Sequence, residues 1–364
     1  MAKELNCKLV LEDGEEYVGC AFGAKTERVA EVVFNTSMVG YQEIVTDPAS
    51  TDKAVVMTYP LIGNYGTADD DNETRVPTLG IMIVSEYNDL PSNFRSIQPL
   101  GEMLEDAGIP GIEGIDTRRL TRSIRDKGSR RCIITDISTS TEEAVARIAA
   151  TPIPHDAISR VSCRRRWYSR TANPRYHVVC VDCGIKQSVI RTLNKNACNV
   201  TVVPYGTTAE EILSMRPDGV LLSDGPGAPE DAASVSELVR ALRTRVPILA
   251  IGLGHLVTAL AYGATVTKMS YGAGTAHPVV RLSDGHVEMT SQSRGYTVDE
   301  PSLAGTGLSV THRDLHAKTV EGLRSEDGRV ITVSFHPESA PGPEDTAYIF
   351  DCFMTMMEED KHNA

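Results

Sequence analysis

ILAIGLGHLVTAL, residues 248–260, holds the transition that decides the fold. Ile248–Ile251 is a short apolar run that reads as a buried strand. Gly252-Leu253-Gly254 reads as a tight turn, and the residues from His255 onward as the first turns of a helix. A strand, a glycine turn and a helix in this order form the elbow on which α/β enzymes mount a nucleophile. The apex position here is Gly252, which has no side chain.

The pattern around the elbow repeats. HVVCVD (177–182), NVTVVPY (199–205), DGVLLS (218–223) and PILAIG (247–252) read as strands. Helical segments separate them: SVIRTLNKN, TAEEILSM and ASVSELVRALRTR. In the last of these Val235, Leu238, Val239 and Leu242 fall at i, i+3, i+4 and i+7, one apolar stripe. Near-continuous apolar strands between amphipathic helices predict a mostly parallel sheet covered by helices on both faces. Ligands on such sheets bind beyond the carboxyl ends of the strands.

Three strand ends carry residues suited to chemistry. Asp224-Gly225-Pro226-Gly227 follows DGVLLS, and its glycines let backbone N–H groups approach an oxyanion; a plain glycine–proline turn is the alternative. At Gly252-Leu253-Gly254-His255, the Leu253 N–H sits at a helix N-terminus, a natural oxyanion donor. Gly254 allows close packing of helix on strand, and His255 taken alone reads as a structural histidine. His336-Pro337-Glu338 follows VITVSF and can form a base with its orienting carboxylate. A cradle of donors, a mount and a His–Glu pair stand in order, and the nucleophile is absent.

The first half reads differently. CKLVLEDG, EEYVGCAFG and AEVVFNTS are strand-like, and GEMLEDAG and DTRRLTRSIRDKG follow as helices, which predicts an α+β domain over 1–150. Residues 151–176 lose periodicity, carry three prolines and the basic run Arg164–Arg166, and read as a linker. That run is either a solvated stretch or a contact for an acidic partner. Residues 177–364 form the second domain.

Composition narrows the function. A net charge of −13 argues against a nucleic-acid surface. The eight scattered cysteines form no disulfide framework; Cys180 and Cys183 alone have C-x-x-C spacing, but no second Cys or His pair follows to complete a metal or redox site, and Cys180, inside HVVCVD, reads as a core thiol. No apolar run approaches the roughly 20 residues that span a bilayer. A cytoplasmic protein is the expectation.

With these residues in view, the second half resembles the class I, triad-type glutamine amidotransferases. The chain as a whole resembles the small subunits of carbamoyl phosphate synthetase. VVFNTSMVGYQEIVTDP (32–48), TYPLIGNYG (58–66), SNFRS (92–96) and GIDTRRLTRSIRDKG (114–128) match the N-terminal domain particular to that family. VDCGIKQSVIR, LLSDGPGAP, PILAIGLGH, GATVTKMSYGAGTAHPV and FHPESAPGPEDTAYIFDCF match its amidotransferase domain.

The resemblance implies that a cysteine at position 252 attacks the side-chain amide of glutamine. His336, oriented by Glu338, would activate it, and the N–H groups of Gly225 and Leu253 would hold the oxyanion. Ammonia would pass to a large ATP-dependent subunit, where ATP and Mg are expected and bicarbonate is the co-substrate. No cofactor or metal is expected in this chain.

Five matched positions depart from the family. Gly252 stands for the cysteine and Leu256 for a substrate-contacting glutamine. Ser293 and Arg294 stand for an Asn-His pair whose asparagine touches substrate, and Tyr296 for a phenylalanine. Ser37, Gly225, Gly227 and Gly295 keep the family's residues among the substrate-binding positions. The expectation is a small subunit that has lost glutamine hydrolysis, binds glutamine poorly and supports an ammonia-using large subunit. A glutamine-hydrolysing subunit with an introduced or compensated change is the first alternative. The second is a non-catalytic scaffold or sensor for another ATP-dependent partner.

Overall fold

The computed structural model describes residues 4–273 and 276–363. It divides into two units, Met1–Pro154 with Ser270–Gly274, and His155–Met269 with Thr275–Ala364. Gly274 and Thr275, within the GATVTKMSYGAGTAHPV motif, fall outside the described residues.

In the first unit seven strands close a barrel. Their order is Cys7–Leu11, Glu16–Gly23, Pro110–Glu113, Ile81–Ile83, Lys53–Met57, Arg28–Asn35 and Arg131–Asp136. Strand alternation sends neighbouring side chains to different cores. Ala54 and Val56 join a cluster with Leu120 and Ile124 of the helix Thr117–Lys127. Val55 and Met57 join another with Leu100 and Leu104 of the helix Leu100–Asp106. Asp116 caps the longer helix by accepting the Arg119 N–H at 2.8 Å. The unit combines strands and helices, but not as strands followed by helices. Two barrel strands, Pro110–Glu113 and Arg131–Asp136, come after the helical patterns begin, because closure needs partners far apart in sequence.

In the second unit five parallel strands form the sheet centre: Cys198–Pro204, Tyr176–Asp182, Gly219–Leu222, Ile248–Ile251 and Val330–Val333. Antiparallel strands extend it on both sides to ten. Val178 and Cys180 face one apolar core with the C-terminal helix residues Phe350 and Phe353, whereas Val179 and Val181 face the other. Val235, Leu238, Val239 and Leu242 are all buried in that second core. Each such side chain contributes about 1.5–3 kcal/mol relative to exposure.

The stretch 151–176, expected as a linker, is largely part of this unit. Ala157–Val161 is helical, and Trp167–Ser169 pairs antiparallel with Cys198–Pro204 as the edge strand of the sheet. Main-chain pairing, which leaves no hydrophobic period, orders it. Arg164, Arg165 and Arg166 are exposed.

Candidate active site

The parallel strands end together, and their last residues are tied to one another. Ser223 Oγ accepts the Cys183 N–H at 2.9 Å and donates to the Asp224 carbonyl at 2.8 Å. The Gly252 N–H donates to the Val333 carbonyl at 2.9 Å. The strand ends after Asp182, Leu222, Ile251 and Val333 are thus held in one row by sheet hydrogen bonds.

Gly252 is the turn residue before the helix Leu253–Ala261, with φ 56° and ψ −112°. An L side chain is strained there by about 1–3 kcal/mol; glycine is not. Two further glycines are required by space. A Cβ at Gly254 would lie 2.7 Å from the Leu222 carbonyl oxygen, and one at Gly225 would lie 2.1 Å from that of Cys183. Gly227 takes φ 91°. Gly225 and Gly254 admit no side chain without moving main chain, whereas Gly227 is favoured by its positive φ.

His336 and Glu338 come together as a buried pair, with Nδ1 3.1 Å from Glu338 Oε1. Lys186, which the motif reading passed over, lies 2.9 Å from the same oxygen, and the two side chains are 3% and 0% exposed. Its ammonium also donates to the Ala340 carbonyl at 2.6 Å. Burial would raise the Glu338 pKa, but Lys186 and His336 outweigh it and hold the carboxyl far below its ordinary range. For His336, burial and Lys186 push the pKa down, yet the carboxylates of Glu338 and Asp224 win and raise it.

Asp224 is the second residue that sequence reasoning missed. Its neighbouring glycines were read as donors, but the carboxylate itself points into the elbow. Oδ1 accepts the Leu253 N–H at 2.6 Å, and Oδ2 lies 3.5 Å from His336 Nε2. The helix N-terminal donor therefore has an internal acceptor. Among the described residues His336 Nε2 has no hydrogen-bond partner, so the Asp224 contact is an ion-pair contact. No residue number or spacing signals this; it is a rotamer across 28 intervening positions.

The remaining site residues separate into groups. Leu256 is buried in an apolar cluster with Val298, Leu303 and Leu323, and Tyr296 packs against it. Ser293 is half-buried, next to Arg294, which is buried and ion-paired with Glu321. Gly295 has open space where a Cβ would stand. Ser37 belongs to the first unit, where its N–H donates to Asn35 Oδ1 at 2.8 Å. His255 is fully buried on the helix, with Nδ1 2.7 Å from Thr332 Oγ1, and burial together with Arg294 lowers its pKa to about 3.

All eight cysteines are free thiols. Cys183 lies beside Gly225, and burial with the charges of Asp182 and Asp224 pushes its pKa far up, so it stays a neutral thiol. Among the described residues no group of three His, Cys, Asp or Glu side chains could hold a metal ion, and no helix is long and apolar enough to cross a membrane.

Comparison with known proteins gives the geometry a context. Residues 9–134 match the family model for the carbamoyl-phosphate synthase small chain, CPSase domain, and residues 179–356 match that for class I glutamine amidotransferases. The chain is 46% identical over 350 residues to a carbamoyl phosphate synthase small chain of Listeria innocua, covering 96% of each. It is 46% identical over 358 residues to a pyrimidine-specific small chain of Halalkalibacterium halodurans, covering 98% of each. It is 47% identical over 353 residues to a small chain of Bacillus caldolyticus, covering 97% of this chain and 96% of that one.

Proposed function

Because the chain belongs to the carbamoyl phosphate synthase small-chain family and carries a class I glutamine amidotransferase domain, we propose that it serves a synthase whose large, ATP-dependent subunit takes free ammonia. In this reading the chain supports or regulates that subunit and has lost glutamine hydrolysis. ATP and Mg belong to the large subunit, bicarbonate is its co-substrate, and the complex is cytoplasmic.

One observation carries the reading: the elbow apex is Gly252. Without a thiol no thioester forms, and His336 has no nucleophile to deprotonate. Loss of the covalent route removes several orders of magnitude of rate. We read position 252 as a former cysteine, and positions 256 and 293 as former polar contacts to glutamine. Leu256 now lies in an apolar cluster, which offers a glutamine side chain no hydrogen bond. Lys186, His336 and Glu338 persist for a physical reason. Deleting one member of a buried ionic group strands the others, at a cost of about 3–5 kcal/mol.

The test is reconstitution with the large subunit of the same organism, comparing glutamine and ammonium as nitrogen donors. Ammonium sustains carbamoyl phosphate synthesis, and glutamine gives about a thousandth of that kcat/KM or less. Equal support by glutamine would refute the proposal.

A further inference from the structure

We infer that Asp224 is an internal ligand of the elbow: its carboxylate fills the space over Gly252, takes the Leu253 N–H, and closes the site to any outside oxyanion. The inference deepens the proposed function and rests on its reading of Gly252 as a disused mount.

Two independent observations converge on it. The first is steric. A Cβ built on Gly252 would lie 2.2 Å from both Cγ and Oδ1 of Asp224, and 2.7 Å from its Cβ. Rotating the Asp224 side chain relieves the first two contacts but not the third, so a side chain at 252 also requires the strand end to shift. Asp224 and a nucleophile at 252 therefore exclude one another in this backbone.

The second is electrostatic. The elbow gathers positive potential from the N-terminus of a nine-residue helix and from the Lys186 ammonium behind the His336–Glu338 pair. A thiolate or an oxyanion is the anion such a field suits. Asp224 supplies a fixed one, with Oδ1 2.6 Å from the Leu253 nitrogen and Oδ2 3.5 Å from His336 Nε2. The same carboxylate faces a buried imidazole whose Nε2 has no hydrogen-bond partner among the described residues.

Two consequences follow. Glutamine's carbonyl cannot reach the Leu253 N–H while Asp224 holds it. Restoring a cysteine is also insufficient, because the adjacent carboxylate occupies its place and disfavours the thiolate.

The experiment measures thiol reactivity in the full chain, without glutamine or a partner, so that it is decided separately from the nitrogen-donor comparison. Iodoacetamide alkylation at position 252 is followed by peptide mapping in Gly252→Cys and in Gly252→Cys with Asp224→Gly, which removes the Cβ as well as the carboxylate. The double variant alkylates at least about tenfold faster at pH 7. Equal rates overturn the inference while leaving the proposed loss of glutaminase intact. Strong glutaminase activity from Gly252→Cys alone overturns the inference as well.

Should the cysteine variants fail to fold, Asp224→Ala in the native Gly252 background decides. Formate, a one-carbon carboxylate, raises its Tm by about 2 °C or more over chloride at equal ionic strength, and leaves the unsubstituted protein unchanged. No shift, or the same shift in both proteins, overturns the inference.

Discussion

The two units bury charge in different ways. In the barrel unit the buried cations pair outward: Lys8 with Glu16, which is 43% exposed, and Arg130 with Asp13, which is 32% exposed. In the second unit both partners are sequestered: Lys186 and Glu338 are 3% and 0% exposed, and Arg294 and Glu321 are 5% and 0%. All nine histidines belong to the second unit as well. Ion pairs with a wet partner contribute little to stability and cost little to keep. Doubly buried pairs cost desolvation that an apolar replacement would avoid, so they mark places built for chemistry. One such pair sits at the elbow whose apex is Gly252.

Substitutions test whether the two units bury charge differently. The largest effect belongs to Lys186→Met, which removes the ammonium beside Glu338 and leaves a buried carboxylate to His336. Denaturant unfolding should show the second unit destabilised by about 3–5 kcal/mol. A loss below 1 kcal/mol would mean that the group is wet and the contrast false. Next comes Ile112→Ala, in the fully buried barrel core. It should cost the first unit about 3 kcal/mol through lost burial and a cavity, with the second unit's transition unmoved.

The pH dependence is smaller and has a definite sign. His255 titrates at about 3 in the folded chain, against an ordinary 6.5. Below pH 6.5 the unfolded chain therefore binds a proton that the folded one refuses, and stability falls as pH drops from 6.5 toward 3. Between pH 7 and pH 5 this contributes about 2 kcal/mol. The raised pKa values of His336, Glu288 and Glu321 act in the opposite sense. The single variant His255→Gln isolates the effect: its loss of stability between pH 7 and pH 5 should be smaller than that of the unsubstituted chain by that amount. An identical loss would contradict it. The smallest effect is that of Lys127→Ala in the barrel unit. Lys127 is 57% exposed beside Asp13 and Glu15, so the change should cost less than about 1 kcal/mol and vanish in high salt.

Much of the second unit was legible because its signals are local. The near-continuous apolar run of HVVCVD marks a strand buried on both faces, the 3.6-residue period of ASVSELVRALRTR fixes a helix face, and a glycine turn between strand and helix fixes an elbow. His336-Pro337-Glu338 was legible because both partners lie in one short segment. The barrel was less so. Its strands are visible one by one, but closure pairs Cys7–Leu11 with Arg131–Asp136 across the whole unit, and no local pattern announces that. The edge strand Trp167–Ser169 is ordered by main-chain pairing in a stretch without periodicity. Lys186 and Asp224 eluded sequence reasoning for a third reason. A lysine after a strand and an aspartate before a glycine are ordinary surface signals, and only the fold turns them inward.

In the proposed reading the elbow has lost its thiol while the frame around it stands. The most direct measurement supplies the reconstituted synthase with amide-¹⁵N glutamine and unlabelled ammonium together and reads the isotope in carbamoyl phosphate. Product nitrogen should be drawn from ammonium, with no ¹⁵N above the level of a blank lacking this chain. Carbamoyl phosphate labelled with ¹⁵N from glutamine would contradict it.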